Sequence, residues 1–197
     1  YKTLARVWPG LEGADASAAP DWLLAAMRAV RPVVETGYEN VLLARALLER
    51  GLGVQTDVFV ADALSGNWPV TRDALLSGWN VRKDDLVDAF GSVRDEWIAE
   101  DPDAWVAANK FFPGVVDALN FSATDLYILT TKQQRFVTLL LKSYGVRTIP
   151  DHLIFRYVTG TKISILKQLI AMPENRGKKI VFVEDRFETL EAVSISM

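Results

Sequence analysis

The texture of the chain changes near Lys110, and that change limits what it can fold into. Before it, apolar residues recur at helical spacing over 21–30, 35–50, 71–77, 84–98 and 103–108. Pro20-Asp21, Thr71, Asp84 and Asp101-Pro102 offer N-terminal capping chemistry, and Gly51 and Gly53 suit a left-handed helix end. After Lys110, short apolar runs alternate with helical patterns. LYIL at 126–129, HLIFRYV at 152–158 and KIVFV at 179–183 read as strands, separated by helices over 133–142 and from Lys162 or Ser164 to Met172. A helical period resumes over 187–193. Continuous apolar strands in alternation with helices predict an α/β fold, a parallel sheet covered on both faces with a helical cap.

Composition narrows the chemistry. Among 197 residues there is no cysteine, so disulfides, thiolate metal sites and a cysteine nucleophile are excluded. The one histidine, His152, rules out a histidine-rich zinc site and reads as a structural residue near a strand. A net charge of -3 with scattered Lys and Arg argues against a nucleic-acid partner, which selects a basic stripe. No apolar run reaches the roughly 18 residues that span a bilayer. The work falls to carboxylates, hydroxyls and lysines. Residues 11–20 (LEGADASAAP) read as a loop. The chain opens on Tyr1 and reads as a piece of something longer.

In parallel sheets ligands gather at the carboxyl ends of the strands. Those ends carry Thr130, Thr131 and Lys132 after the first run, and Glu184, Asp185 and Arg186 after the last. Lys162 follows the turn Thr159-Gly160-Thr161 and opens a helix. Each residue also has a plainer reading. Thr130-Thr131 and Glu184-Asp185 could cap the helices that follow them, and Lys162 could be solvated, with Lys167 the alternative on the same helix. The tryptophans at 22, 68, 79, 97 and 105 read as core of the helical half, while Trp8 and Tyr38-Glu39-Asn40 are candidate contacts to a substrate.

Taken in order, FPGVVDAL at 112–119, LYILTTK ending at Lys132, TGTK ending at Lys162 and KKIVFVEDR ending at Arg186 resemble the haloacid dehalogenase (HAD) superfamily of phosphatases and related hydrolases. The resemblance is to a plant, algal and cyanobacterial type of member. It implies a Rossmannoid α/β core with an inserted helical cap: residues 1–14 begin the core, 15–110 form the cap and 111–197 complete the core. It also implies an aspartyl-phosphate hydrolase acting on a small phosphorylated metabolite. Thr130 then hydrogen-bonds the phosphoryl oxygens with Thr131 beside it, Lys162 offsets their charge, and Asp185 with Glu184 holds Mg²⁺. The chain departs from the family pattern in two ways. The usual second acid of the last motif falls at Thr189, next to Glu188, and the first-motif Asp-x-Asp is missing. The only Asp-x-Asp is Asp101-Pro102-Asp103, which follows no apolar strand. The family layout places the missing motif just upstream of Tyr1, on a central strand between those at Leu126 and Ile180, with residues 1–9 as the helix after it. An alternative is an inactive HAD-like subunit that binds a protein partner. A chloroplast or cytoplasmic location is expected.

Overall fold

The computed structural model describes residues 1–11, 18–146, 154–156 and 162–196, with only the backbone described at 154–156. His152 and the turn Thr159-Gly160-Thr161 lie outside the described residues, as does most of the expected loop at 11–20. The chain divides into two compact units, Tyr1–Asn109 and Lys110–Met197.

Leu42, Leu43, Ala46 and Leu47 are wholly buried, and their helix organises the first unit. Counting in chain order, α1 is Lys2–Val7, α2 Asp21–Ala29, α3 Glu39–Arg50, α4 Val54–Asp62, α5 Trp68–Gly78, α6 Lys83–Glu100 and α7 Pro102–Ala107. Helices α1, α2, α4 and α5 all pack on α3, and α6 packs on α1 and α7. Apolar residues on nearly every side of α3 suit it to this central place. Each fully buried leucine contributes about 1.5–3 kcal/mol of transfer free energy. Leu4, Leu23, Val30, Phe59 and Leu86 complete the core with Trp68. Trp22 and Trp79 pack at its edge, and Trp105 is the buried residue of α7. Gly51 ends α3 at φ 68°, with its N–H donating to the carbonyls of Leu47 and Leu48. Asp101 caps α7, its carboxylate accepting the Ala104 N–H at 2.9 Å.

One buried charge ties this unit together. Glu39 is 1 % exposed. Its Oε2 accepts the N–H groups of Glu35 and Thr36 at 2.6 and 2.9 Å, and its Oε1 receives Arg72 Nη1 at 3.3 Å. Thr36-Gly37-Tyr38-Glu39 has the spacing of a capping box, in which the acid reaches back to the chain entering the helix. Tyr38 is buried beside it, and desolvation pushes its phenol above the usual value. Tyr38 and Glu39 are therefore parts of the core and its polar network rather than an open substrate face.

In the second unit, α8 spans Val115–Asn120, β1 Ile128–Thr130, α9 Gln134–Ser143, β2 Ile154–Arg156, α10 Lys162–Ala171 and α11 Phe187–Ser196. Gly114 starts α8 in the left-handed region at φ 80°. Helix α9 is strongly amphipathic, burying Phe136, Val137, Leu140 and Leu141. Val137, Leu141 and Val146 form a small core with Phe111, Val116, Leu119, Leu126 and Ile128 around it. Helix α10 buries Ile165, Leu166 and Leu169. Asn175 is buried and bonded at both ends of its amide: the nitrogen donates to the Leu169 carbonyl at 2.8 Å and the oxygen accepts the Tyr127 hydroxyl at 3.1 Å.

The expected fold class does not hold. The described chain is mostly helical, and its strand content is one parallel pair of three-residue strands, with Ile128, Leu129 and Thr130 facing Ile154, Phe155 and Arg156. That is not a Rossmannoid α/β core with a parallel sheet, and the description of the chain as HAD-like in architecture falls with it. The physical reason is visible at KIVFV. A strand persists only when its backbone groups are paired, and among the described residues none of 180–183 makes a backbone hydrogen bond. Val181 and Val183 are 73 % and 87 % exposed instead of buried in a sheet.

Candidate functional site

The second unit gathers its polar side chains where β1 ends. A pocket of about 430 Å³ is lined by Leu129, Thr130, Thr131, Lys162, Val183, Glu184 and Asp185. Thr130 closes β1, so the strand fixes its backbone while its side chain turns with the loop. Its Oγ1 accepts the Lys132 N–H at 3.0 Å, a side-chain-to-backbone bond that tightens the strand exit. The same oxygen keeps its own O–H for a further acceptor. Lys162 is the first residue of α10 and also lines the pocket.

Lys162 Nζ donates to Glu184 Oε2, and both side chains are largely withdrawn from solvent, at 17 % and 6 % exposure. Glu184 Oε1 also accepts the Arg186 N–H at 3.3 Å. Glu184 is thus committed on both oxygens. Asp185 is exposed and lines the pocket beside it.

The structure brings together Thr130, Thr131, Lys162, Glu184 and Asp185 and leaves other candidates aside. Lys167 is exposed one turn further along α10 and does not line the pocket. Thr189 and Glu188 lie in α11 outside the lining. Asp101 and Asp103 belong to the first unit, where Asp101 acts as a helix cap. Trp8 is likewise structural: it packs edge-to-face on Trp79, and both rings receive the Arg45 guanidinium, whose carbon lies 4.4 and 4.1 Å from the two ring centres.

The donor set tests what the pocket could hold. Mg²⁺ favours one or two carboxylates together with phosphate oxygens and water. Asp185 fits that description, while Glu184 is engaged with Lys162 and does not pair with Asp185 as a free ligand. Among the described residues, no group of three or more His, Asp or Glu side chains is arranged to hold a metal. A cation here would depend on oxygens brought by its ligand.

Sequence reading missed a larger cavity alongside. About 970 Å³ in volume, it is mostly apolar, with Leu126, Ile128, Leu141, Leu166 and Phe182 among its walls, and it shares Leu129, Thr130 and Val183 with the polar pocket. Its local sequence signal is the apolar run KIVFV, which as a pattern matches a buried strand equally well. Among the described residues no helix is long and apolar enough to cross a membrane. Comparison with protein families, curated proteins and solved structures finds no match to this chain.

Proposed function

We propose that the pocket at the end of β1 binds the phosphate group of a small phosphorylated metabolite, and that the protein is a Mg²⁺-dependent phosphoric monoester hydrolase. The observation that carries this reading is the convergence of two hydroxyls, one ammonium and an exposed carboxylate on a single pocket. Phosphoryl transfer asks a protein mainly for positioning and charge neutralisation. Thr130 and Thr131 would donate to equatorial phosphoryl oxygens, Lys162 would offset their charge, and Asp185 would hold a cation carried in with the phosphate.

In the aspartyl-phosphate route an attacking carboxylate forms a bond to phosphorus as the ester oxygen leaves. Water then releases inorganic phosphate and restores the carboxylate. Glu184 is held by Lys162 and Asp185 is assigned to the cation, so the attacking group would be a carboxylate other than these two. The test is hydrolysis of a generic phosphate ester by the full-length natural protein with Mg²⁺. Turnover lost in Asp185→Asn and kept in Lys167→Ala supports the reading, and a folded protein without turnover on a broad panel of phosphate esters counts against it.

A second reading, a non-catalytic subunit that binds a protein partner, is favoured by the exposed apolar residues Val181, Val183 and Phe187 beside the pocket. Native co-purification of a stable partner, together with absent turnover, would select it.

A further inference from the structure

The charges lining the pocket do not balance in favour of an anion. Among the described residues of the lining, Lys162 is the one cation, Glu184 and Asp185 are two carboxylates, and the cation is already bonded to one of them. On the described lining, a phosphate dianion entering alone meets an ammonium already paired with Glu184 and the exposed carboxylate of Asp185. We infer that Glu184 is the resident counterion of Lys162, a positioning residue rather than a metal ligand, and that this pairing makes phosphate binding conditional on a divalent cation. The inference deepens the phosphate-site reading and rests on it.

The physics is linkage. A divalent cation at Asp185 reverses the sign of the local charge, so the phosphate gains where it would otherwise be repelled. By reciprocity the phosphate strengthens the cation by the same factor. Site-to-site couplings of this kind typically amount to roughly 5–150-fold in affinity. Glu184 sets the size of the effect because it cancels Lys162 in the empty pocket. Its low exposure also denies Lys162 the solvent screening that would weaken their attraction. Holding the ammonium in one place gives the pocket its geometry, while cancelling its charge withholds affinity until the cation arrives. Asp185 follows Glu184 directly in the chain but has the opposite task, since it stays exposed where a hydrated cation can reach it.

The experiment measures inorganic phosphate binding to the full chain by isothermal titration calorimetry, with and without Mg²⁺, in the wild type, Glu184→Gln and Asp185→Asn. Mn²⁺ binding followed by electron paramagnetic resonance serves as a second readout. In the wild type Mg²⁺ should tighten phosphate binding roughly tenfold or more. Glu184→Gln frees Lys162, so phosphate should bind without Mg²⁺ and the Mg²⁺ effect should shrink, while Mn²⁺ affinity is retained. Asp185→Asn should abolish the Mg²⁺ effect and weaken Mn²⁺. Two results overturn the inference alone: wild-type phosphate affinity that ignores Mg²⁺, or Glu184→Gln losing Mn²⁺ as Asp185→Asn does. Absence of phosphate binding in every protein and condition overturns the phosphate site itself, and the inference with it.

Discussion

Replacing Glu39 by Ala removes the one carboxylate that ties the entry of α3 to α5. Three acceptor contacts vanish: the N–H groups of Glu35 and Thr36, and Arg72 Nη1. A hydrogen bond to a charged group is worth roughly 1.5–3 kcal/mol, and breaking a buried ion pair from one side costs roughly 3–5 kcal/mol. The lower end applies here. Arg72 is 23 % exposed and keeps Asp73 at 2.8 Å, and the Glu35 and Thr36 segment is not deeply buried. The expected loss for Glu39→Ala is therefore about 3 kcal/mol. Glu39→Gln keeps an acceptor oxygen for the two backbone groups but turns an amide toward Arg72, and should cost about 1–2 kcal/mol. Urea denaturation of the full chain, followed by far-ultraviolet circular dichroism, reads both as shifts of the first unit's midpoint at unchanged slope. For a domain of about a hundred residues, 1 kcal/mol moves the melting temperature by roughly 4–8 °C, so the two variants separate clearly. A Glu39→Ala loss under about 0.5 kcal/mol, the level of an ordinary surface change, refutes the network. Equal losses in the two variants would instead assign the effect to the lost negative charge rather than to the acceptor bonds.

The remaining predictions concern the first unit as well. A Cβ added at Gly37 would lie 2.2 Å from Phe90 Cε1, so Gly37→Ala should destabilise by about 1–3 kcal/mol. Adding Phe90→Leu should recover part of that loss, and a double-mutant cycle by denaturation checks it, additive losses arguing against the clash. Arg45→Met removes the cation that lies against both Trp8 and Trp79 and should cost about 1 kcal/mol in the same assay, with Trp8→Leu partly masking the effect. Hydrogen bonding from Arg72 holds the Asp73 carboxyl below its ordinary 3.8. Because the folded value is the lower one, the stabilisation from this pair is present above that ordinary value and is lost as pH falls through the folded value. A carbon-13 NMR titration should find the Asp73 midpoint below 3.8 and see Arg72→Met bring it back. An unshifted midpoint in the wild type contradicts the geometry.

Much of the helical content was legible because burial and periodicity agree there. Helices α2, α3, α6 and α9 show their apolar residues at the spacing the fold uses, and Asp101 caps α7 as its position suggests. Helix α4 was missed because its apolar residues do not share a face: Val54 and Val58 are exposed while Phe59 is buried. The strand-like run at 179–183 misled for a different reason. Its composition suits a strand buried on both faces, but strand formation depends on a pairing partner that local sequence does not reveal. The pocket residues could be picked out because polar groups clustered directly after apolar runs, a pattern that survives even though the sheet does not. The Lys162–Glu184 pairing was illegible, since residues 22 positions apart have no local spacing rule to relate them. Local sequence groups Glu184 with Asp185 as a metal ligand, whereas the structure engages it with Lys162.

Whether the polar pocket at the end of β1 is a phosphate site is read directly by a proton–nitrogen NMR titration of the full chain with inorganic phosphate in the presence of Mg²⁺. Saturable shifts should concentrate on the backbone amides of Thr130, Thr131, Lys162 and Asp185, with the amides of α3 unmoved. Shifts absent from these four residues, or spread over the lysine-bearing surface without saturation, would contradict a phosphate site there.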